Sequence, residues 1–138
     1  MRIEVVNGVN LNMLGKRKKS AYGTITLKEL EQTIEQHFAG RGMEFTFFQS
    51  NMEGEIVEFI QKSTADLMLI NAGAHTHYSY AIRDAVEDSA VKICEVHLSD
   101  ITKREEFRKF SVLEDVCCDR EYGKGVDGYI MLIERNAK

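Results

Sequence analysis

The sequence predicts a three-layer α/β fold, a parallel sheet with helices on both faces, from three observations. Short apolar runs alternate with longer amphipathic ones, the pattern of βαβ units joined by right-handed crossovers. The run Leu67-Met68-Leu69-Ile70 is apolar without alternation, as a central strand covered on both sides requires. Helix-capping residues stand where strand-like runs give way to helical spacing. With 138 residues and no repeat, low-complexity tract or linker, the chain is expected to form one domain. A chain of this length buries roughly two-thirds of its unfolded surface.

Taken in order, Ile3 to Val6 reads as the first strand and ends at Asn7-Gly8. Residues 8 to 25 form a long polar segment with the basic cluster Lys16-Arg17-Lys18-Lys19 in its middle. Thr26-Leu27-Lys28-Glu29 fits a capping box, and Leu27, Leu30, Ile34 and Phe38 follow at helical spacing until Gly40. Phe45 to Phe48 is strand-like, and Ser50-Asn51-Met52-Glu53 predicts a second capping box before the helix of Ile56, Phe59 and Ile60. After the third strand come a helix over about Ser79 to Ser89 and a strand over Ile93 to Leu98. A short charged helix over 102 to 109 and a last helix over Gly128 to Glu134 complete the pattern.

Composition narrows the function classes. The net charge of −4 gives no reason to expect nucleic acid. No stretch approaches the ~18 apolar residues of a membrane span, and the chain opens on a strand-like run where a signal peptide would show an apolar stretch. Cys94, Cys117 and Cys118 lack zinc-type spacing and point to reduced thiols in a cytoplasmic compartment. The total absence of proline has no functional reading.

In open parallel sheets ligands bind beyond the carboxyl ends of the strands. Here those ends are polar: Asn7, Gln49-Ser50, Asn71, and His97 followed by Ser99. Any one could be a cap; four converging on one rim predict a site. Glu95 and His97 lie two apart on a strand and therefore face the same way, roughly 6–7 Å apart along the backbone. A carboxylate inside a strand is costly unless paired, and such a Glu would orient the imidazole and favour its protonated form, as a general acid needs. The blander possibility is a structural Glu–Arg pair beside a satisfied histidine. His75-Thr76-His77 with Glu95 and His97 could suggest zinc, but no cysteine or second carboxylate is suitably spaced to complete the ligand set.

The basic loop suggests an anionic ligand, although it lacks a dinucleotide fingerprint and a Walker lysine. Tyr22 lies in that loop. A phenol with the ordinary pKa of ~10 is ionised to about one part in a thousand at neutral pH. Guanidinium groups close by favour the phenolate, and Arg17 and Arg108 are the candidates.

These residues resemble a known family. Asn7-Gly8-Val9-Asn10-Leu11-Asn12-Met13-Leu14-Gly15, with Arg17 and Tyr22-Gly23, resembles the opening signature of type II 3-dehydroquinate dehydratases. Gln49-Ser50-Asn51-Met52-Glu53-Gly54, Asn71 to His77, Arg83-Asp84-Ala85, Glu95 to Ser99, and Arg104-Glu105-Glu106-Phe107-Arg108 resemble its later motifs in the same order. The resemblance implies a flavodoxin-like fold with five parallel strands in the order 2-1-3-4-5. It also implies cofactor-free dehydration of 3-dehydroquinate to 3-dehydroshikimate, in the shikimate pathway, by anti elimination through an enolate.

By the resemblance, Tyr22 is the base, held as a phenolate by Arg17 and Arg108. Asn12 holds a water at the enolate oxygen, and His97, oriented by Glu95, protonates the leaving hydroxyl that Asn71 positions. Leu98 and Ser99 grip the carboxylate, and His77 and Arg108 bind ring hydroxyls. Asp84 reaches a neighbouring subunit's site, which implies a trimer-based homo-oligomer, usually a dodecamer, and closure of the basic loop completes the site. Several positions depart from the family pattern: Val9 for proline, Met52 for histidine, Lys18-Lys19 for Glu-Pro, Asp100 for asparagine and Phe110 for histidine. Residues 114 to 124 lack the apolar run of a fifth strand. Three other classes remain to be weighed: a silent carboxylate-binding relative, a flavin or phosphate-binding domain, and a metal hydrolase.

Overall fold

A computed structural model describes residues 1–138, the side chains of residues 19 and 21 excepted. Its five strands are β1 (Arg2–Asn7), β2 (Glu44–Gln49), β3 (Leu67–Asn71), β4 (Lys92–His97) and β5 (Arg120–Tyr122). They pair in parallel in the order β2-β1-β3-β4-β5. The helices are α1 (Lys19–Tyr22), α2 (Leu27–His37), α3 (Glu53–Lys62), α4 (Tyr80–Asp88) and α5 (Val126–Asn136). Among the described residues no helix is long and apolar enough to cross a membrane.

The sheet is apolar on both faces, and the two-residue strand period divides its side chains between two layers. Ile3, Val5, Leu67, Leu69, Cys94 and Val96 pack with Leu30 and Ile34 of α2, with Phe38 at its C-cap, and with Tyr129, Leu132 and Ile133 of α5. Val6, Met68, Ile70 and Ile93 pack on the other side with Ile56 and Ile60 of α3 and with Ile82, Ala85 and Val86 of α4. At roughly 1.5–3 kcal/mol for each fully buried aliphatic side chain, these layers are the main source of stability.

The Thr26 capping box forms as predicted: its side chain accepts from the Glu29 N–H while Glu29 reaches back to the Thr26 N–H. The second one does not. Met52 is the N-cap of α3 and offers no side-chain cap. Ser50 instead accepts from the Met52 N–H and donates to Glu55. Glu53, the would-be reciprocal partner, is taken by the hydroxyl of Ser79, the N-cap of α4. A tertiary contact between two helix starts has displaced the local motif.

Two further expectations change. The charged segment after β4 is not one helix but two 3₁₀ turns, Ile101–Lys103 and Glu106–Arg108. The 114–124 segment does supply the edge strand, three residues long and held from outside its own apolar content. Arg135 of α5 pairs with Asp119 at 3.0 Å and with Glu121 at 2.5 Å.

Candidate active site

Register levels the polar strand ends: Asn7 lies opposite both Gln49 and Asn71, while β4 runs on to His97. The loops after β1 and β3 then lock together. The Gly8 N–H donates to the Asn71 carbonyl at 2.7 Å, and a Cβ on Gly8 would lie 2.7 Å from the Ala72 oxygen. Gly73 has φ of 64°, and a Cβ there would lie 2.5 Å from the Val9 oxygen. Asn10 completes the turn with φ of 70°, a left-handed conformation that asparagine tolerates better than most residues.

Beneath these loops a buried network fixes the floor. The Tyr129 hydroxyl donates to Asn7 Oδ1 at 2.6 Å and accepts from Asn71 Nδ2 at 3.2 Å. Asn71 Oδ1 accepts from the Gly73 N–H at 3.1 Å. Full burial, as the main cause, holds the Tyr129 phenol well above its usual range, so it serves this network as a neutral donor.

Above the floor lies a cavity of about 90 Å³, lined by Asn10, Leu11, Arg17, Tyr22, Asn71, Gly73, Ala74, His77, His97, Leu98, Ser99, Ile101, Arg104 and Arg108. On one wall the Tyr22 hydroxyl accepts from Arg17 Nη2 at 3.0 Å and from Arg104 Nη1 at 3.2 Å. The Arg17 guanidinium also lies 3.8 Å from the centre of the Tyr22 ring. Arg104 Nη1 reaches Ser99 Oγ at 3.2 Å as well, so one guanidinium joins the phenol to the end of β4. On that strand His97 Nε2 lies 2.5 Å from Glu95 Oε2. Glu95 is fully buried, and Ser111 Oγ donates to the same carboxylate oxygen at 2.6 Å. His77 Nδ1 lies 2.8 Å from the Phe110 carbonyl. Burial chiefly holds its imidazole below the usual range, against the opposing pull of that carbonyl.

The residues expected from sequence are for the most part brought together. Arg17, Tyr22, Asn71, His77, His97, Leu98, Ser99 and Arg108 all line the cavity, with Glu95 directly behind His97. Three placements differ. The second guanidinium on Tyr22 belongs to Arg104, whereas Arg108 Nε is held by Glu105 at 2.7 Å. In a continuous helix these two arginines would share a face. The break between the 3₁₀ turns leaves Arg104 extended, with ψ of −173°, and Glu105 faces both arginines, its other oxygen 3.7 Å from Arg104 Nε.

Asn12 is exposed and outside the lining, because the turn Leu11–Met13 buries Leu11; Asn10 lines the cavity in its place. Asp84 is exposed on α4, where it borders a different cavity with Val57, Ile60, Ala81 and Ala85. Sequence reasoning also missed Ser111 and Tyr129, which lie far along the chain from the strand ends they brace. Asp100, the departure nearest the rim, turns its carboxylate to the Thr102 N–H at 3.0 Å and to the Thr102 hydroxyl, and does not line the cavity.

In sequence and in fold the chain has close counterparts among known proteins. The family model for class II dehydroquinases matches residues 1–137. The 3-dehydroquinate dehydratase of Thermotoga neapolitana is 49% identical over 134 residues, 97% of this chain and 92% of that protein. The crystal structure of type II dehydroquinase from Butyrivibrio crossotus matches with a TM-score of 0.96 at 44% identity, covering 100% of this chain and 98% of that one. That from Propionibacterium acnes matches at 0.92 and 32% identity, covering 99% and 97%. Matched along its length in sequence and in fold, this chain belongs to the class II dehydroquinases, a family of hydro-lyase enzymes.

Proposed function

We propose that this enzyme converts 3-dehydroquinate to 3-dehydroshikimate and water, in the shikimate pathway, by anti elimination through an enolate. The observation that carries the mechanism is the Tyr22 hydroxyl, held between the guanidinium groups of Arg17 and Arg104 on the cavity wall. Two cations at hydrogen-bond distance stabilise a phenolate far more than a phenol. The phenolate removes a proton from carbon 2, alpha to the ketone, and becomes neutral. The electron pair moves onto the ketone oxygen as an enolate, with Asn10 holding a water there. Collapse of the enolate expels the carbon-1 hydroxyl, which takes a proton from His97 and leaves as water. The proton on Tyr22 returns to His97 through solvent, which balances the cycle.

Glu95 supports this role for His97 as a positioning residue. Its carboxylate, fixed by Ser111, faces Nε2 and holds the imidazole ring in its orientation. Asn71 keeps one N–H and one lone pair for the leaving hydroxyl after its structural bonds are made. Leu98 and Ser99 hold the carboxylate at the end of β4, while His77 and Arg108 bind ring hydroxyls. Asp84, on the exposed side of α4 beside apolar Val57, Ile60 and Ala85, contributes to a neighbouring copy's site in a trimer-based assembly.

The test is ultraviolet absorbance during incubation with 3-dehydroquinate, since the product is conjugated and the substrate is not. We expect a rise that Tyr22→Phe and His97→Ala each slow by at least ~10². Near-normal turnover by the folded Tyr22→Phe protein would overturn the mechanism. No turnover by the wild-type chain would leave a silent carboxylate-binding relative.

A further inference from the structure

Cys94 and Cys118 lie apart from the cavity, and their sulfurs are 3.4 Å from one another. Cys94 is fully buried on β4, next to Glu95, whereas Cys118 is exposed just before β5. Their backbones are fixed side by side: the Cys118 N–H donates to the Ile93 carbonyl and the Glu95 N–H to the Asp119 carbonyl, each at 2.9 Å. These two bonds straddle Cys94. Cys117, although adjacent in sequence, packs against the α3–α4 side of the sheet, while Cys94 belongs to the α2–α5 side. The sheet therefore separates Cys117 from Cys94 and presents Cys118 to it.

We propose that Cys94 and Cys118 form a reversible oxidation site, in which a hydroperoxide converts the pair to an intramolecular disulfide. The exposed Cys118 thiolate attacks the peroxide oxygen; the O–O bond breaks, leaving a sulfenic acid and one water after proton uptake. The Cys94 sulfur then attacks Cys118 Sγ, loses its proton and expels hydroxide, which leaves as a second water. Two thiols and one hydrogen peroxide thus give one disulfide and two waters. Closing the bond needs the sulfurs to approach by only about 1.3 Å, given an S–S length of ~2.05 Å. Burial, as the leading cause, holds the Cys94 and Cys117 thiols well above their usual range, which leaves the first attack to Cys118. The bond would clamp the charged edge strand to the strand that carries Glu95 and His97.

Mass spectrometry of the reduced native protein treated with one equivalent of hydrogen peroxide tests this. The expected change is a loss of about 2 Da, two hydrogens, reversed by dithiothreitol. Peptide mapping should join Cys94 to Cys118, and the loss should persist in Cys117→Ser. In Cys118→Ser, a change at an exposed position that leaves the fold intact, it should vanish. Cys94→Ser should instead trap a sulfenic acid, a gain of about 16 Da that a cyclic dione captures. A crosslink mapped to Cys117, a dimer joined between chains, or a loss that survives in Cys118→Ser would each overturn the proposal.

Discussion

At the scale of single residues, the decisive feature is which arginine meets Tyr22. Arg104 bonds both the phenol and Ser99, whereas Arg108 is held by Glu105. Arg104→Ala should therefore lower kcat by at least ~10², because the lost interaction is one that stabilises developing charge. Arg108→Ala should act mainly on KM. Steady-state kinetics of the two variants separate these outcomes, and equal effects on kcat would contradict the assignment. Ser111→Ala removes the second donor to the Glu95 carboxylate. A merely structural role for Ser111 would leave the pH profile of kcat in place; a positioning role moves its histidine limb, and Ser111→Thr should restore it. The meeting of Tyr22 with Arg17 and of Glu95 with His97 was legible in the sequence because each pair lies close along the chain. Asn10 lines the cavity where the resemblance pointed to Asn12, and Arg104 meets Tyr22 where it pointed to Arg108, since in a turn the facing side chain depends on a few backbone angles that residue type alone does not set.

At the scale of elements, the site depends on turns that bring two loops within contact. Gly73 combines a left-handed φ of 64° with backbone 2.5 Å from where a Cβ would lie. Gly73→Ala should cost about 1–3 kcal/mol, read from the urea midpoint, and should lower turnover by shifting the β1 loop that carries Asn10. The edge strand β5 depends on charge. Arg135 of α5, first of all its partners, holds the Asp119 carboxyl down at about 2. A carboxyl depressed in the folded state contributes stability above its unfolded value near 3.8, and that contribution is lost as pH falls toward about 2. The depression corresponds to roughly 2 kcal/mol, which solvent screening reduces to about 1 for a pair whose side chains remain 28% and 41% exposed. Asp119→Asn should therefore unfold earlier than wild type in urea at neutral pH, with the gap closing below about pH 3. A gap independent of pH would sink this account of the edge.

At the scale of the whole molecule, the proposed assembly makes its own prediction. Asp84 lies on α4 beside apolar residues of α3 and α4, away from the chain's own cavity. Sedimentation should find a species built from three copies or a multiple of three, and Asp84→Ala should lower activity although every residue lining the cavity is intact. A fully active monomer would refute it. The layered architecture was legible because strand and helix periodicity are local properties, and because a strand buried on both faces has to be apolar throughout, as Leu67 to Ile70 are.

What the sequence determined by itself was therefore the α/β layering, the rim on which chemistry had to sit, and the pairing of Glu95 with His97, two residues apart on one strand. What only the tertiary structure decided were the relations that span long stretches of chain. Ser79 displaces a capping box by taking Glu53, Ser111 reaches Glu95, and Tyr129 joins Asn7 to Asn71. Arg135 holds an edge strand that has no apolar run. Spacing along a chain dictates which side chains share a face; packing decides which distant partners meet there, because each buried polar group takes the donor or acceptor that the folded core brings within reach.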